Sequence, residues 1–267
     1  MISGISFTKM VASGNDFIII DQRKHASIRK PKLLSLRICN RKYGIGADGL
    51  LILEKSKSAD IRMRIFNPDG SEPNMCGNGI RCVAVYVGRS KIVIETKAGI
   101  VAAKAIKDKV KIRMTEPKDI RLDLPIKIGE RKIKVNFIDT GVPHAVIFVE
   151  WLNNIDVVNI GRQIRFHKRF LPDGVNVDFV QIIDDDNIKI RTYERGVEAE
   201  TLACGTGTVA AALLSTCHSP TSNIRRVNAH TKGGEILKIE FDKANGKFRD
   251  VWLEGKARTV YSGVYYV

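Results

Sequence analysis

The sequence has little of what marks several common protein classes. Its five cysteines are odd in number and widely spread, which argues against a disulfide-stapled scaffold and leaves five individual thiols. Apolar runs such as Phe17–Ile20 and Val209–Leu214 are far shorter than the roughly 20 residues of a membrane-spanning helix, so no membrane association is expected. The opening Met1–Ile5 lacks a basic stretch followed by a long apolar region, so no secretory signal is read and the cytoplasm is the expected location. No Gly-Lys-Ser/Thr phosphate loop occurs. Nor is there a close Cys/His pair at metal-ligand spacing: Cys76 and Cys82 lie about 240° apart around a helix, so no metal is expected. Acidic residues are few, 29 against 44 basic ones, for a net charge of +15. That excess raises nucleic-acid binding as a distant alternative, one that would demand salt-sensitive binding independent of any thiol. Its densest stretch argues otherwise. Lys107, Lys109, Lys111 and Arg113 alternate with Asp108, Val110, Ile112 and Met114, which is one strand face turned to water, with no interleaved aromatics.

What is present is globular: 44% hydrophobic and 27% charged residues in a chain long enough for two domains. Branched, strand-like runs recur at 17–21, 50–53, 61–66, 92–96, 109–114, 146–149, 177–182, 188–193 and 236–241, punctuated by glycine, proline and Asp/Asn. Helical patterns are confined to 30–41, 79–89, 159–166 and 207–216. This is a strand-heavy α+β chain rather than a regular β-α alternation. Internal repetition is its strongest feature. Cys76-Gly77-Asn78-Gly79 and Cys204-Gly205-Thr206-Gly207 each lead into a small-residue helix, nearly half the chain apart. Two similar domains follow, 1–119 with Cys76 and 120–259 with Cys204. The boundary lies where proline and alternating charges interrupt the strands over 116–124, and a last strand over 260–267 rejoins the first domain.

In both copies the cysteine precedes a helix start, whose unpaired N–H groups attract anions. The same field is expected to lower a cysteine's pKa and make thiolate accessible near neutral pH. Gly77 and Gly205 let a ligand approach the backbone closely. A carboxylate docked between two such turns would present its α-carbon to one sulfur on each face, and removal and return of the proton would invert that centre. The helix starts would stabilise charge building on the carboxylate, with no electron-sink cofactor. Cys39, Cys82 and Cys217 are read as small core residues. Gly44-Ile45-Gly46-Ala47-Asp48-Gly49 matches the spacing of a dinucleotide fingerprint, but it follows a helix and precedes a strand, so it is read as a tight loop.

Three blocks carry a resemblance across essentially the whole chain: Gly14-Asn15-Asp16-Phe17 with Gly44–Gly49; Phe66–Glu72 leading into Met75–Cys82; and Tyr193–Gly196 leading into Glu200–Gly207. In these blocks the chain resembles diaminopimelate epimerases. The resemblance implies two pseudo-symmetric domains, each a barrel-like sheet around a central helix, with the active site in the cleft between them. It implies interconversion of LL- and meso-diaminopimelate in lysine and peptidoglycan precursor biosynthesis, with no cofactor, neither metal nor pyridoxal phosphate. Cys76 and Cys204 are similar to the proton-transferring pair. Gly77, Asn78, Gly205 and Thr206 are similar to the cradle for the reacting carboxylate, while Asn15, Asn67, Asn176, Glu194 and Arg195 are similar to the residues holding the distal end. The partner is then a small-molecule substrate rather than nucleic acid or membrane, and a homodimer is left open. Related two-cysteine racemases of proline or hydroxyproline are the main alternative, set apart by lacking a distal clamp. Two departures stand out. Val142 replaces the asparagine usual before this proline, and Val197-Glu198-Ala199 is one residue longer than in many relatives.

Overall fold

In a computed structural model, which describes residues 4–24, 28–218, 224–244 and 246–266, the chain forms two compact units. One comprises the described residues through Ile112 together with those from Gly255 onward, and the other runs from Arg113 to Glu254. The first unit contains β1 (Gly4–Ala12), β2 (Asn15–Asp21), α1 (Pro31–Ile38), β3 (Gly49–Glu54), β4 (Ile61–Phe66), α2 (Gly77–Val87), β5 (Lys91–Thr96), β6 (Gly99–Ile106) and β7 (Lys109–Arg113). The second contains β8 (Lys118–Ile128), β9 (Arg131–Asp139), β10 (Pro143–Phe148), α3 (Val157–Arg165), β11 (Asn176–Ile182), β12 (Asn187–Glu194), β13 (Ala199–Thr201), α4 (Gly205–His218), β14 (Arg226–Thr231), β15 (Ile236–Ala244) and β16 (Lys247–Lys256). The last strand, β17 (Arg258–Tyr266), belongs to the first unit and lies along β1. Val267, the end of the strand expected from the sequence, is outside the described residues.

The two units repeat one topology. Along β17-β1-β2-β3-β4-β5-β6-β7, successive neighbours are antiparallel, antiparallel, parallel, antiparallel, parallel, antiparallel and antiparallel. The order β8-β9-β10-β11-β12-β14-β15-β16 gives the same succession. In each unit the second parallel step needs a long crossover, and a helix supplies it: α2 between β4 and β5, α4 between β12 and β14. These helices are central. α2 touches β1, β2, β4, β6 and β17, and α4 touches β9, β10, β11, β12, β14 and β15. Sequence explains why they sit inside. Val209–Leu214 is apolar all the way round and wholly buried, as an interior helix requires. The runs Phe17–Ile20 and Leu50–Leu53 are buried on both faces of their strands, which parallel pairing of β2 with β3 demands.

The strands and helices read from the sequence are found, with helix starts two residues earlier for α2 and α4 because glycine is tolerated in a first turn. The basic stretch behaves as one strand face: in β7, Val110 and Ile112 are buried and Lys109 and Arg113 exposed. The irregular stretch between β7 and β8 covers residues 114–117, shorter than the 116–124 interruption read from the sequence and partly overlapping it; β8 begins at Lys118, where Asp119 and Asp123 take positive φ (55° and 53°) and let the strand shift register without leaving β9. Gly44–Gly49 does form a tight loop, closed by Gly44 N–H to Asn40 O (2.9 Å) and Gly46 N–H to Ile38 O (3.0 Å) at the C-terminal end of α1. That end carries carbonyls, the wrong polarity for a phosphate. Among the described residues no helix is long and apolar enough to cross a membrane.

Candidate active site

In the first unit the extended backbone of Cys76 (φ −142°, ψ 118°) caps α2, and its carbonyl accepts from Ile80 N–H at 3.0 Å. The thiol is half-buried. Asn78, in the first helical turn, is almost wholly buried, and its Nδ2 donates to Asn15 Oδ1 at 2.6 Å. Asn15 Nδ2 in turn donates to Asp48 Oδ2 at 3.3 Å. Arg41 bridges Asp16 and Asp48 at 2.8 and 2.7 Å, and burial of Asp16 is outweighed by its bonds to Arg41 and Lys9, which hold its carboxyl well below the usual range. Asn67 directly follows β4 and caps its own turn, with Nδ2 donating to Ser71 Oγ at 2.9 Å. The loop from that turn to Cys76 is fastened by a two-pronged Arg64–Glu72 pair (2.7 and 3.0 Å). Cys39 and Cys82 are buried, and burial pushes the Cys39 thiol up to about 12.

In the second unit Cys204 directly precedes α4, and its carbonyl accepts from the Thr208 N–H at 2.8 Å. Its sulfur lies 3.5 Å from Thr206 Oγ1. Thr206 Oγ1 is 3.0 Å from His144 Nε2, and His144 Nδ1 is 2.7 Å from Asp178 Oδ2. Thr192 Oγ1 donates to Asp178 Oδ1 at 2.7 Å. His144 and Asp178 are wholly buried. An acceptor at Nδ1 fixes the imidazole tautomer with its hydrogen there, leaving Nε2 to accept from the Thr206 hydroxyl, whose oxygen then faces the thiol. The chain thus runs S–H to Oγ–H to Nε2 and can carry a proton off the sulfur or return it. Gly207 makes room for it: a Cβ there would lie 2.3 Å from Asp178 Oδ1.

At Cys204 the acidity expected of a helix-start thiol is overturned. The Gly207 N–H and the Thr206 hydroxyl do favour thiolate, but burial, followed by the carboxylates of Glu194 and Asp178, pushes the thiol well above the ordinary cysteine range. Glu194 is itself raised, first by burial and further by the Asp178 carboxylate, against the opposing pull of the Thr201 hydroxyl.

The residues assigned to the distal end fall into local groups. Asn15 is bonded to Asn78. Asn176 Oδ1 accepts from the Arg195 N–H at 2.8 Å, while Arg195 Nη1 reaches the carbonyls of Asp173 and Gly174 at 3.3 and 3.4 Å. Asn67 bonds within its own turn. The extra residue near Glu198 is absorbed by the β12–β13 turn. Glu198 takes φ 56°, and its carboxylate accepts from Gly196 N–H (3.0 Å), Tyr193 OH (3.2 Å) and Arg165 Nε (3.2 Å). At Val142 only the backbone is engaged, its carbonyl accepting from Thr140 N–H at 3.1 Å. Sequence reasoning missed His144, Asp178, Thr192 and Arg81. The available signal was an acidic residue on the buried side of an apolar strand, Val177-Asp178-Phe179-Val180.

Comparisons with known proteins agree with this architecture. The diaminopimelate epimerase family profile matches residues 7–120 and 136–260. A diaminopimelate epimerase of Aquifex aeolicus is 40% identical, over 97% of each chain. Among solved structures, a PhzF-family phenazine biosynthesis protein of Bacillus anthracis superposes with a TM-score of 0.74 at 16% identity, over 99% of this chain and 100% of its own. A hydroxyproline epimerase of Agrobacterium vitis, solved with trans-4-hydroxy-L-proline, gives 0.71 at 18% identity, over 99% and 93%. The structural matches share the fold; the sequence matches go further, and on them the chain belongs to the diaminopimelate epimerase family.

Proposed function

We propose that this protein interconverts LL- and meso-diaminopimelate, with Cys76 and Cys204 as the two proton-transferring groups. One observation carries the reading: in a chain of this family, a duplicated topology sets a cysteine immediately before the central helix of each unit. Two such groups are what inversion at carbon requires, one to take the α-proton and one to return a proton to the other face. Before each turnover one sulfur is thiolate and the other thiol, and the turnover exchanges their roles. Cys204, held as a thiol, is the donor when Cys76 acts as base. In the reverse direction Cys204 loses its proton along Thr206 to His144, whose orientation Asp178 fixes. The N–H groups opening α2 and α4, at Gly77, Asn78, Gly205 and Thr206, receive the reacting carboxylate and stabilise the charge that grows on it as the α-proton leaves. Asn15, Asn67, Asn176, Glu194 and Arg195 hold the distal end, Arg195 through a planar fork suited to a carboxylate. The reaction serves lysine and peptidoglycan precursor synthesis in the cytoplasm.

The test is exchange of the α-hydrogen of diaminopimelate with deuterated solvent, run beside proline. Exchange into diaminopimelate, abolished in both Cys76→Ala and Cys204→Ala, supports the reading. Exchange into proline alone transfers the chain to the racemases, and full activity in either variant refutes the pairing.

A further inference from the structure

Among the described residues Arg81 is the largest wholly buried side chain, and it lies on α2, three residues after Asn78 and so on the same helical face. Its Nη2 donates to Ser13 Oγ at 2.6 Å and, by a short bond, to Asn78 Oδ1. Its Nη1 donates to the carbonyl of Lys256 at 3.0 Å. The guanidinium therefore ties the helix that follows Cys76 to the β1–β2 turn, where Ser13 takes φ 50°, and to the chain entering β17.

The bond to Asn78 has a chemical direction. A guanidinium has donors only, so the Asn78 atom it meets is the carbonyl oxygen. The amide NH2 of Asn78 then faces Asn15, 2.6 Å away, and the Asn15 atom receiving it is again a carbonyl oxygen. The Asn15 NH2 is left for Asp48 Oδ2 at 3.3 Å, and Asp48 is gripped in turn by Arg41 at 2.7 Å. A donor-only group stands at one end of this chain and a carboxylate at the other. Turning either asparagine over would set donor against donor at one contact and acceptor against acceptor at the next, each buried or half-buried and costly.

We infer that Arg81 is a positioning residue that sets the amide polarity of Asn78 and Asn15 together, and so fixes which polar atoms the first unit offers to the substrate. The inference rests on the proposed function, in which Asn78 belongs to the cradle at the reacting carbon and Asn15 to the distal hold. Arg81 couples the two through one directed hydrogen-bond chain. Lysine cannot replace it, since a single ammonium cannot reach Ser13, Asn78 and the Lys256 carbonyl from the fixed angles of a guanidinium plane.

The test has a ligand-free arm and a kinetic arm. In the ligand-free enzyme, side-chain NH2 signals of Asn15 and Asn78 are followed by nitrogen-15 NMR with solvent exchange, in wild type, Arg81→Lys and Arg81→Met. Expected is exchange about tenfold or more faster at both amides in each variant that retains its native melting transition; unchanged exchange overturns the inference whatever the substrate. Arg81→Lys serves where Arg81→Met does not fold. In the kinetic arm, KM for diaminopimelate is compared in Arg81→Lys, Asn15→Ala and the double variant. Each single change is expected to raise KM about tenfold, and the double variant to raise it little further, because both act through one amide chain. Multiplying effects would mean that Arg81 merely supports the fold, and would overturn the inference. A wild-type enzyme inactive on diaminopimelate would refute the functional reading and leave the NMR arm to decide on Arg81.

Discussion

Phe17, Leu51 and Ile65 in the first unit hold the strand positions that His144, Asp178 and Thr192 hold in the second. The registers fix the match: Phe17 lies opposite Gly49 as His144 lies opposite Asn176, and Leu51 opposite Ile65 as Asp178 opposite Thr192. The first trio is apolar and buried, whereas the second is joined by hydrogen bonds. On the helices the contrast reverses. Five residues after each cysteine the first unit buries Arg81 and the second buries Val209. Duplication has kept the backbone, the helix start and the sulfur, while the buried polar network beside the helix is anchored on the helix in the first unit and on the strands in the second. The two thiols therefore sit in unlike surroundings, one half-buried, the other enclosed and held protonated. A two-base inversion starts each turnover with one group protonated and the other not, and the enclosure of Cys204 favours the thiol on its side.

Making the second unit resemble the first is expected to have the largest effect. Asp178→Leu installs the counterpart residue and leaves His144 Nδ1–H and the Thr192 hydroxyl without their acceptor; kcat should fall about 100-fold or more, with the isosteric Asp178→Asn as a check that folding is not the cause. Wild-type kcat in both variants would show that the asymmetry has no catalytic role. Next comes thiol labelling. With iodoacetamide at about pH 7.5, peptide mass spectrometry should find Cys76 modified first and Cys204 about tenfold slower. Since the raised pKa of Cys204 favours thiol, its rate should climb as pH rises through that pKa; equal rates at neutral pH would remove the distinction. The matching glycines give a third, smaller contrast. A Cβ on Gly207 would meet Asp178 Oδ1 at 2.3 Å, while one on Gly79 would meet Leu51 Cδ2 at 3.2 Å. Gly207→Ala should therefore lower Tm by roughly 5–10 °C and Gly79→Ala by no more than a few degrees. The smallest effect is expected at Cys217→Ala, outside both networks, which should keep nearly all activity in the same α-hydrogen exchange assay.

How much was legible in the sequence depends on how the information is distributed along the chain. Strands buried on both faces, such as Phe17–Ile20 and Leu50–Leu53, announce themselves as unbroken apolar runs. β8 and β9 do not, since their outward residues are mostly charged and the bulges at Asp119 and Asp123 break any period of two. The helix starts were readable because Cys-Gly-polar-Gly occurs twice within contiguous residues. The His144–Asp178–Thr192–Thr206 network was not, because its members come from three strands and a helix and meet only through sheet register. The same holds for Arg81: its spacing from Asn78 is local, but Ser13 and Lys256 are remote in sequence. Acidity at Cys204 was misjudged for a related reason. A helix start is a local signal, whereas enclosure and two carboxylates from distant strands are tertiary.

The placement of β17 along β1 gives the fold an order of completion during synthesis. The unit that contains the earliest residues cannot cover the outer edge of β1 until residues 258–266 have been made, whereas the later unit has all its own strands by Lys256. The half begun first is finished last, and for most of translation it presents an open row of backbone donors and acceptors to neighbouring nascent chains.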